Sequence, residues 1–318
     1  MEIIFNTKIL KWALKQRAQN AIQLQKKFPK LGDWLEERGK KPTYNQLVQL
    51  SNFLYIPFGY FFLSNPPDIS SPIPHFRTVN EKEEFQPSPD ILETIEIVSR
   101  RQEWLRDYLI ELGNSPLEFV GSVTTKSNIN QVSQQIREKF KLPSLWANMF
   151  RTWSEAYLHL IKQVEDVGIY VVINGIVGNN THRRLDVKEF RGFALSDEYA
   201  PFIFINGQDA KSAQMFTFAH ELVHIWLGKS ASFDLRELQP ANTELELFCN
   251  HVAVEFLVPE HELKRLWPQI KDATDVYQKI ARHFKVSEIV GARRMQDLGL
   301  ITKEQFSRFY EDYIQKQL

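Results

Sequence analysis

Two histidines four residues apart, inside an apolar helical pattern, constrain this chain more than any other feature of its 318-residue sequence. They stand in the segment His220-Glu-Leu-Val-His224. Side chains at positions i and i+4 share one face of an α-helix, so both imidazoles can reach a single metal ion. Glu221 is placed to hold a water on that ion and to take its proton.

The surrounding sequence favours a metal site over two ordinary histidines at the edge of a core. A strand pattern at residues 201–205 is followed by the turn Asn206-Gly207 and by a helical pattern over 209–227, which Gly228 ends. The H-E-x-x-H spacing in such a helix is typical of zinc peptidases, and we predict that Glu221 is the catalytic base. In the alternative, the histidines only pack and Glu221 faces solvent.

A catalytic zinc ion needs a third protein ligand and one open position. The downstream candidates are Glu244, Glu246, His251, Glu255 and His261. We favour Glu246, because it lies early on the next predicted helix and Asn250 follows four residues later on the same face. From there the Asn250 amide can orient a ligand imidazole. Glu244 is the runner-up.

Several alternatives to Glu246 as a ligand remain open at the level of the sequence. Thr243 and Glu246 fit a capping box, in which the Glu246 side chain would bond only to the backbone of Thr243. His251 points about 100° away from Asn250 on an ideal helix, which makes it a weaker candidate. Cys249 lies beside this face, where a buried cysteine is more often a packing residue than a ligand.

The chain divides where proline is concentrated, because residues 64–74 contain four prolines, a composition typical of an extended linker. We predict four parts: a helical domain at 1–64, a linker at 65–87, a peptidase domain at 88–260 and a helical C-terminal segment at 261–318. Runs rich in β-branched and aromatic residues predict strands at 168–173, 190–195 and 201–205. The predicted fold class is therefore mostly α with a small β-sheet, an α+β arrangement.

Charge is distributed unevenly, although the net charge is zero. Residues 1–64 hold ten lysines and arginines against four acids, so this segment carries +6 and the remainder carries −6. A basic segment can bind nucleic acid or an acidic protein face. A solvated helical surface is the alternative, and charge alone does not separate the two.

Cysteine content and hydropathy indicate the cellular compartment in which the protein is expected. Cys249 is the only cysteine, which excludes an intramolecular disulfide and favours a reducing cytosol. The sequence contains neither a secretory signal pattern nor an apolar run of 18 residues. We therefore predict a cytoplasmic protein without a membrane partner.

Residues 188–260 resemble the ImmA/IrrE family of metallo-endopeptidases. The likeness is carried by residues 189–195 (EFRGFAL), 203–207 (IFING), 219–228 (AHELVHIWLG) and 246–259 (ELFCNHVAVEFLVP). The resemblance implies a zincin-like domain in which His220, His224 and Glu246 bind Zn²⁺ and Glu221 is the base. It also implies the cleavage of repressor proteins, often of the XRE type. Some relatives act as toxins that are paired with a neutralising protein.

Two further segments resemble helix-turn-helix elements. An XRE-type likeness in the first domain is carried by residues 23–28, Trp34, Gly39, Pro42 and 57–63, and a second pattern covers 280–295. The first domain has few groups that read DNA, because Lys30 is the one obvious donor at the start of its reader helix and Asp33 would repel phosphates. The second offers Arg293 and Arg294, although we favour a helix pair that packs against the peptidase.

The predicted function is that of a zinc endopeptidase that cleaves a regulatory protein, with an XRE-type repressor as the expected substrate. Two alternatives remain, a DNA-binding regulator with a peptidase-like sensor domain and a toxin of a toxin–antitoxin pair. A free edge of the strand at 190–195 would let an extended substrate add main-chain hydrogen bonds, and an ordinary core strand is equally compatible. The sequence does not define the oligomeric state.

Overall fold

The computed structural model describes residues 5–16, 21–67, 88–229, 231–233 and 244–315. The described residues form two compact units, one built from 5–67 and 88–93 and the other from 94–315. Helices dominate, and the described strands form one sheet of four strands and one of two. The predicted α+β class is therefore confirmed. Residues 68–87, most of the predicted linker, lie outside the described part of the chain.

Four short helices and a 3-10 turn pack together in the first unit. They are α1 (Thr7–Gln16), α2 (Ala21–Lys27), α3 (Leu31–Leu35), α4 (Tyr44–Leu54) and the turn Phe58–Phe62. Apolar side chains from all of them form one core, which includes Ile9, Leu10, Leu24, Phe28, Leu31, Leu47, Leu50 and Phe61. Thr43 and Gln46 begin α4 with a capping box, which satisfies backbone donors at the helix start.

The short helix α3 stands where the sequence predicted a reader helix. It has five residues, of which Leu31 and Trp34 are buried in the core of the first unit. Gly32 and Asp33 are exposed, as is Lys30 immediately before the helix. The exposed face of α3 thus offers few hydrogen-bond donors, and the XRE-type identity of this unit remains a prediction.

Helices also make up most of the second unit. They are the greater part of α5 (Pro89–Glu111), α6 (Ile129–Lys139), α7 (Trp153–Glu165), α8 (Lys211–Trp226), α9 (Glu244–Leu257), α10 (Glu260–Ile270), α11 (Val276–Phe284), α12 (Glu288–Asp297) and α13 (Lys303–Gln315). The helical stretch before the sheet is divided into the 3-10 turn Trp146–Met149 and α7. The division arises because Thr152 forms a capping box with Glu155 and so begins a new helix.

Trp104 lies on the exposed side of α5. Ile91, Ile95 and Val98 are buried, whereas Trp104 is 67% exposed. Six residues separate it from Val98, which rotates it about 240° around the helix axis. Its ring stacks on Tyr108 instead, with centroids 5.5 Å apart and planes inclined by 4°.

A mixed four-stranded sheet lies at the centre of the second unit. Its strands are β1 (Tyr170–Asn174), β4 (Gly192–Leu195), β5 (Phe202–Asn206) and β6 (Ala231–Phe233), and a separate hairpin joins β2 (Ile176–Val177) to β3 (Asn180–Arg184). The order is β1-β5-β4-β6, with β1 parallel to β5 and the other pairs antiparallel. Every residue of β4 and β5 is buried, so these strands form the core layer beneath α8.

Strand β4 is not the free edge that the sequence left open. In the part of the chain that the structure describes, β5 pairs with β4 on one side and β6 pairs with it on the other. Phe193 is opposite Phe204 of β5 and opposite Ser232 of β6. The alternative of a core strand is therefore correct for β4.

The sheet holds α8 close because Gly192 has no side chain. A Cβ at this position would lie 2.8 Å from the Phe204 carbonyl oxygen and 2.8 Å from Cγ2 of Thr217 on α8. Such distances are shorter than van der Waals contact, so glycine permits the close packing of helix on strand. Thr217 stands one turn before His220, and β4 therefore fixes the part of α8 that leads into the H-E-x-x-H segment.

Backbone hydrogen bonds define the carboxyl end of α8. The Gly228 amide donates to Ile225 and the Lys229 amide donates to His224, both at 3.0 Å. Gly228 has a φ of +64°, so this is a Schellman-type ending at the glycine that the sequence predicted as the stop. The loop at 121–123 covers the same end, where Gly121 donates to Ile225 and Val123 donates to Trp226. None of the described helices combines the length and the apolarity that crossing a bilayer requires.

Candidate metal centre

His220 and His224 project from one face of α8 towards a common point. Both side chains are fully buried, as are residues 217–226 as a whole. The ring centroids are 4.9 Å apart, and the two Nε2 atoms approach to 3.1 Å. The i, i+4 spacing thus brings the two imidazoles together with the same nitrogen facing inward, as a shared metal ion requires.

Glu246 of α9 completes a group of three donors. Its Oε2 lies 3.1 Å from Nε2 of His220, and its Oε1 lies 3.6 Å from Nε2 of His224. Ligands about 2.0–2.1 Å from a tetrahedral zinc ion are roughly 3.3–3.4 Å from one another. The separations of 3.1, 3.1 and 3.6 Å agree with that spacing, and two imidazoles with one carboxylate suit catalytic zinc.

The amide of Asn250 lies at the opposite nitrogen of His220. Its Oδ1 is 2.9 Å from Nδ1 of the imidazole. An amide oxygen only accepts, so Nδ1 carries the proton and Nε2 keeps its lone pair for a metal. Asn250 therefore stands where the sequence analysis expected an orienting side chain.

Cys249 contacts the other imidazole and is an alternative donor near the site. Its Sγ lies 3.8 Å from Nδ1 of His224, and His220, His224 and Cys249 place candidate ligand atoms within 4.8 Å of one another. Burial raises the pKa of the Cys249 thiol, and the Glu246 and Glu221 carboxylates raise it further. The sulfur approaches Nδ1, whereas Glu246 approaches Nε2 of both histidines. Glu246 alone thus shares the point at which the imidazoles converge.

Glu221 is fully buried in α8 beside His220. This burial does not agree with the alternative in which Glu221 is a solvent-facing acid. A carboxylate removed from water, one residue from an imidazole of the candidate metal centre, suits a group that accepts a proton.

The remaining candidates for the third ligand lie elsewhere. Glu244 accepts a hydrogen bond from Thr125 at 3.1 Å, and Glu255 pairs with Arg294. His251 is exposed, and His261 has a side chain that is 74% exposed. Thr243, the partner in the proposed capping box, lies outside the described residues. The structure therefore brings Glu246, and none of these others, to the imidazoles.

The two arginines that a DNA-reading helix would offer, Arg293 and Arg294, are engaged within the protein. Arg293 pairs with Asp297 at 3.1 Å and lies over the ring of Phe306. Arg294 pairs with Glu255 and donates from Nε to the carbonyl of Val258 at 3.1 Å. The helix pair α11–α12 thus packs on the domain that holds the candidate metal centre, which is the arrangement that the sequence analysis favoured. No signal within the sequence identified Glu255 as the partner of Arg294, because 39 residues separate the two.

The comparisons with known proteins agree with this geometry. Residues 164–296 match the family model described as the IrrE N-terminal-like domain, a peptidase family. The match includes α8, α9 and α11, and it ends within α12. The comparison with curated proteins gives no match. Residues 164–296 of this chain therefore form an IrrE N-terminal-like domain.

Proposed function

We propose that this chain is a zinc-dependent endopeptidase that cleaves a regulatory protein, and that its substrate is an XRE-type transcriptional repressor. One observation supports the proposal above all others. The Nε2 atoms of His220 and His224 and the carboxylate of Glu246 lie 3.1–3.6 Å from one another at a single point. Such a donor set leaves one tetrahedral position open for the reaction.

In this proposal His220, His224 and Glu246 hold the zinc ion. When bound, zinc lowers the pKa of water towards about 7 and polarises a peptide carbonyl. Asn250 accepts the Nδ1 proton of His220 and Cys249 contacts Nδ1 of His224, so α9 fixes the orientation of both rings. Fixed rings keep both Nε2 lone pairs directed at the site.

Glu221 performs the proton transfers. Its carboxylate takes a proton from the attacking water as the C–O bond forms at the scissile carbonyl carbon. The same carboxyl group then gives that proton to the leaving nitrogen as the C–N bond breaks. Burial keeps Glu221 away from bulk water, so the proton remains available for the second transfer.

The substrate assignment rests on the first unit and on the family resemblance. The first unit is a small helical core with basic residues, and its short helix α3 presents few donors for base edges. Such a unit suits a protein partner of related fold better than it suits DNA. A DNA-binding role for α12 has less support, because Arg293 and Arg294 already have partners within the chain.

The test uses the full chain, loaded with one equivalent of zinc, and a purified XRE-type repressor. We expect cleavage at a defined bond, loss of cleavage with a chelator, and a kcat lowered by about 10²–10⁴ in Glu221→Gln with zinc retained. Glu244→Gln is the matched control and should cleave as the wild type does. Undiminished cleavage by Glu221→Gln would refute the mechanism. Cleavage of other proteins but of no XRE-type repressor would refute the substrate assignment alone.

A further inference from the structure

Two partly buried arginines hold the carboxyl end of α9, the helix that supplies Glu246. Nη1 of Arg137, on α6, donates to the carbonyl of Phe256 at 3.0 Å. Nε of Arg294, on α12, donates to the carbonyl of Val258 at 3.1 Å. Carbonyls at the end of a helix have no partner within the helix and carry partial negative charge, so both contacts are favourable.

Each arginine also pairs with a buried carboxylate. Arg137 pairs with Glu262 at 2.9 Å, and Arg294 pairs with Glu255 of α9 itself. The side chains of both arginines are nearly inaccessible, with 11% and 12% exposure. Arg294 therefore binds α9 at two points, one side-chain carboxylate and one backbone carbonyl, from the helix-turn-helix-like pair α11–α12. A planar guanidinium with several donors suits such a double contact.

The two acids of α9 face opposite sides of the helix. Glu246 and Glu255 are nine residues apart, which corresponds to a rotation of about 180°. Glu246 and Asn250 point to the imidazoles of α8, whereas Glu255 points to Arg294. A rotation of α9 by about 10° would move a group at the helix rim, roughly 6 Å from the axis, by about 1 Å. Such a shift would separate Glu246 and Asn250 from His220 together.

We propose that Arg294 is a positioning residue of the metal centre. By holding Glu255 and Val258, it fixes the rotation of α9 and with it the distance from Glu246 to the two imidazoles. The C-terminal helix pair is then a part of the peptidase and not a reader of nucleic acid. This inference rests on the proposed function, because it takes Glu246 to be a zinc ligand.

The experiment compares the full chain with Arg294→Met and with the double variant Arg294→Met/Glu255→Met. In the single variant Glu255 is a buried charge without its cation, so stability falls sharply. The double variant replaces the ion pair by apolar groups of similar volume, so it should recover most of the stability that the single variant loses. It still lacks the 3.2 Å hydrogen bond from the Glu260 amide to Glu255. Arg293→Met is the matched control, because Arg293 is the exposed neighbour and contacts Asp297 and the ring of Phe306 instead of α9.

Zinc affinity of each variant is measured by competition with a chelator, and the visible spectrum of bound Co²⁺ reports the ligand geometry. We expect the zinc Kd of the double variant to rise about tenfold or more with an altered Co²⁺ spectrum, and Arg293→Met to match the wild type. If the double variant does not fold, Arg294→Lys keeps a cation for Glu255 but lacks the second donor, and its Kd should rise by a smaller factor.

The outcomes separate this inference from the proposed function. A folded double variant with wild-type zinc affinity and Co²⁺ spectrum overturns the positioning role alone, as does a wild-type Kd in Arg294→Lys. A wild-type chain that binds no zinc overturns the proposed function and this inference together.

Discussion

Asn250 fixes the ring of His220, because its Oδ1 lies 2.9 Å from Nδ1 of that imidazole. The preceding residue, Cys249, has its sulfur 3.8 Å from Nδ1 of His224. Two adjacent residues of α9 thus face the outer nitrogens of the two imidazoles of α8. Glu246, one turn earlier, faces the inner nitrogens. One helix therefore supplies a candidate metal donor and the groups that contact the other two candidate donors.

Asn250→Ala should weaken zinc binding while leaving the ligands in place. Without the amide oxygen, Nδ1 of His220 has no acceptor from α9 and the ring can change orientation or tautomer. Loss of such a partner typically costs a factor of about 10–100 in metal affinity. Chelator competition measures the zinc Kd. Asn250→Asp retains an acceptor oxygen and is the control that should bind nearly as the wild type does, and an unchanged Kd in Asn250→Ala would contradict the orienting role.

Removal of the Glu246 carboxylate should weaken zinc binding much more than removal of the Cys249 thiol. If Glu246 is the third ligand, Glu246→Gln loses an anionic donor and its zinc Kd should rise far more than that of Cys249→Ala. Cys249→Ala should still bind one zinc per chain, because the sulfur faces Nδ1 and not the point of convergence. Elemental analysis after dialysis measures the stoichiometry. Retained zinc in Glu246→Gln together with lost zinc in Cys249→Ala would indicate a His-His-Cys centre.

Gly228→Ala should lower the free energy of unfolding by more than the backbone strain of an alanine at positive φ accounts for. Gly228 has a φ of +64°, where a Cβ costs about 1–2 kcal/mol. The new Cβ would also lie 2.9 Å from Cα of Gly121. Gly299→Ala is the matched control, since Gly299 has a φ of +67° and no atom within 4 Å of an added Cβ. Urea unfolding should show a larger loss for Gly228→Ala, and equal losses would contradict the close contact of the two backbones.

His283 should make the fold less stable in acid. Burial lowers the pKa of His283 and the Lys285 charge lowers it further, while Glu262 acts in the opposite direction. The folded chain therefore favours the neutral imidazole, so this group opposes folding once the pH falls below the unfolded value near 6.5. In His283→Gln the unfolding free energy should decline less between pH 7.5 and pH 5 than in the wild type. The other histidines are present in both proteins, so their contributions to the pH dependence cancel in the comparison. If the unfolding free energies of the two proteins decline in parallel, His283 does not contribute to the loss of stability in acid.

The sequence predicted those parts of the fold whose signals are local. The helix expected at 209–227 is α8 at Lys211–Trp226, and Gly228 ends it as predicted. The hairpin of β2 and β3 was missed, because the polar residues of β3 (NTHRR) do not show the apolar alternation of a strand. The division before α7 had a local signal, since Thr152 and Glu155 have the spacing of a capping box.

The site was predictable only in part, because some of its contacts lie within one helix and others join two helices. The convergence of His220 and His224 follows from helix geometry, whereas the choice of Glu246 depends on how α9 packs against α8. The pairing of Glu255 with Arg294 likewise joins α9 to α12. Contacts of this kind arise from tertiary packing, which a single sequence does not specify.

X-ray absorption at the zinc edge of the zinc-loaded chain tests the central claim most directly. Zinc ligated by His220, His224 and Glu246 should show only nitrogen and oxygen neighbours, at about 2.0–2.2 Å, with multiple scattering from two imidazoles. Glu246→Gln should alter that first shell. A sulfur neighbour at about 2.3 Å, or a wild-type chain that retains no zinc, would contradict the account.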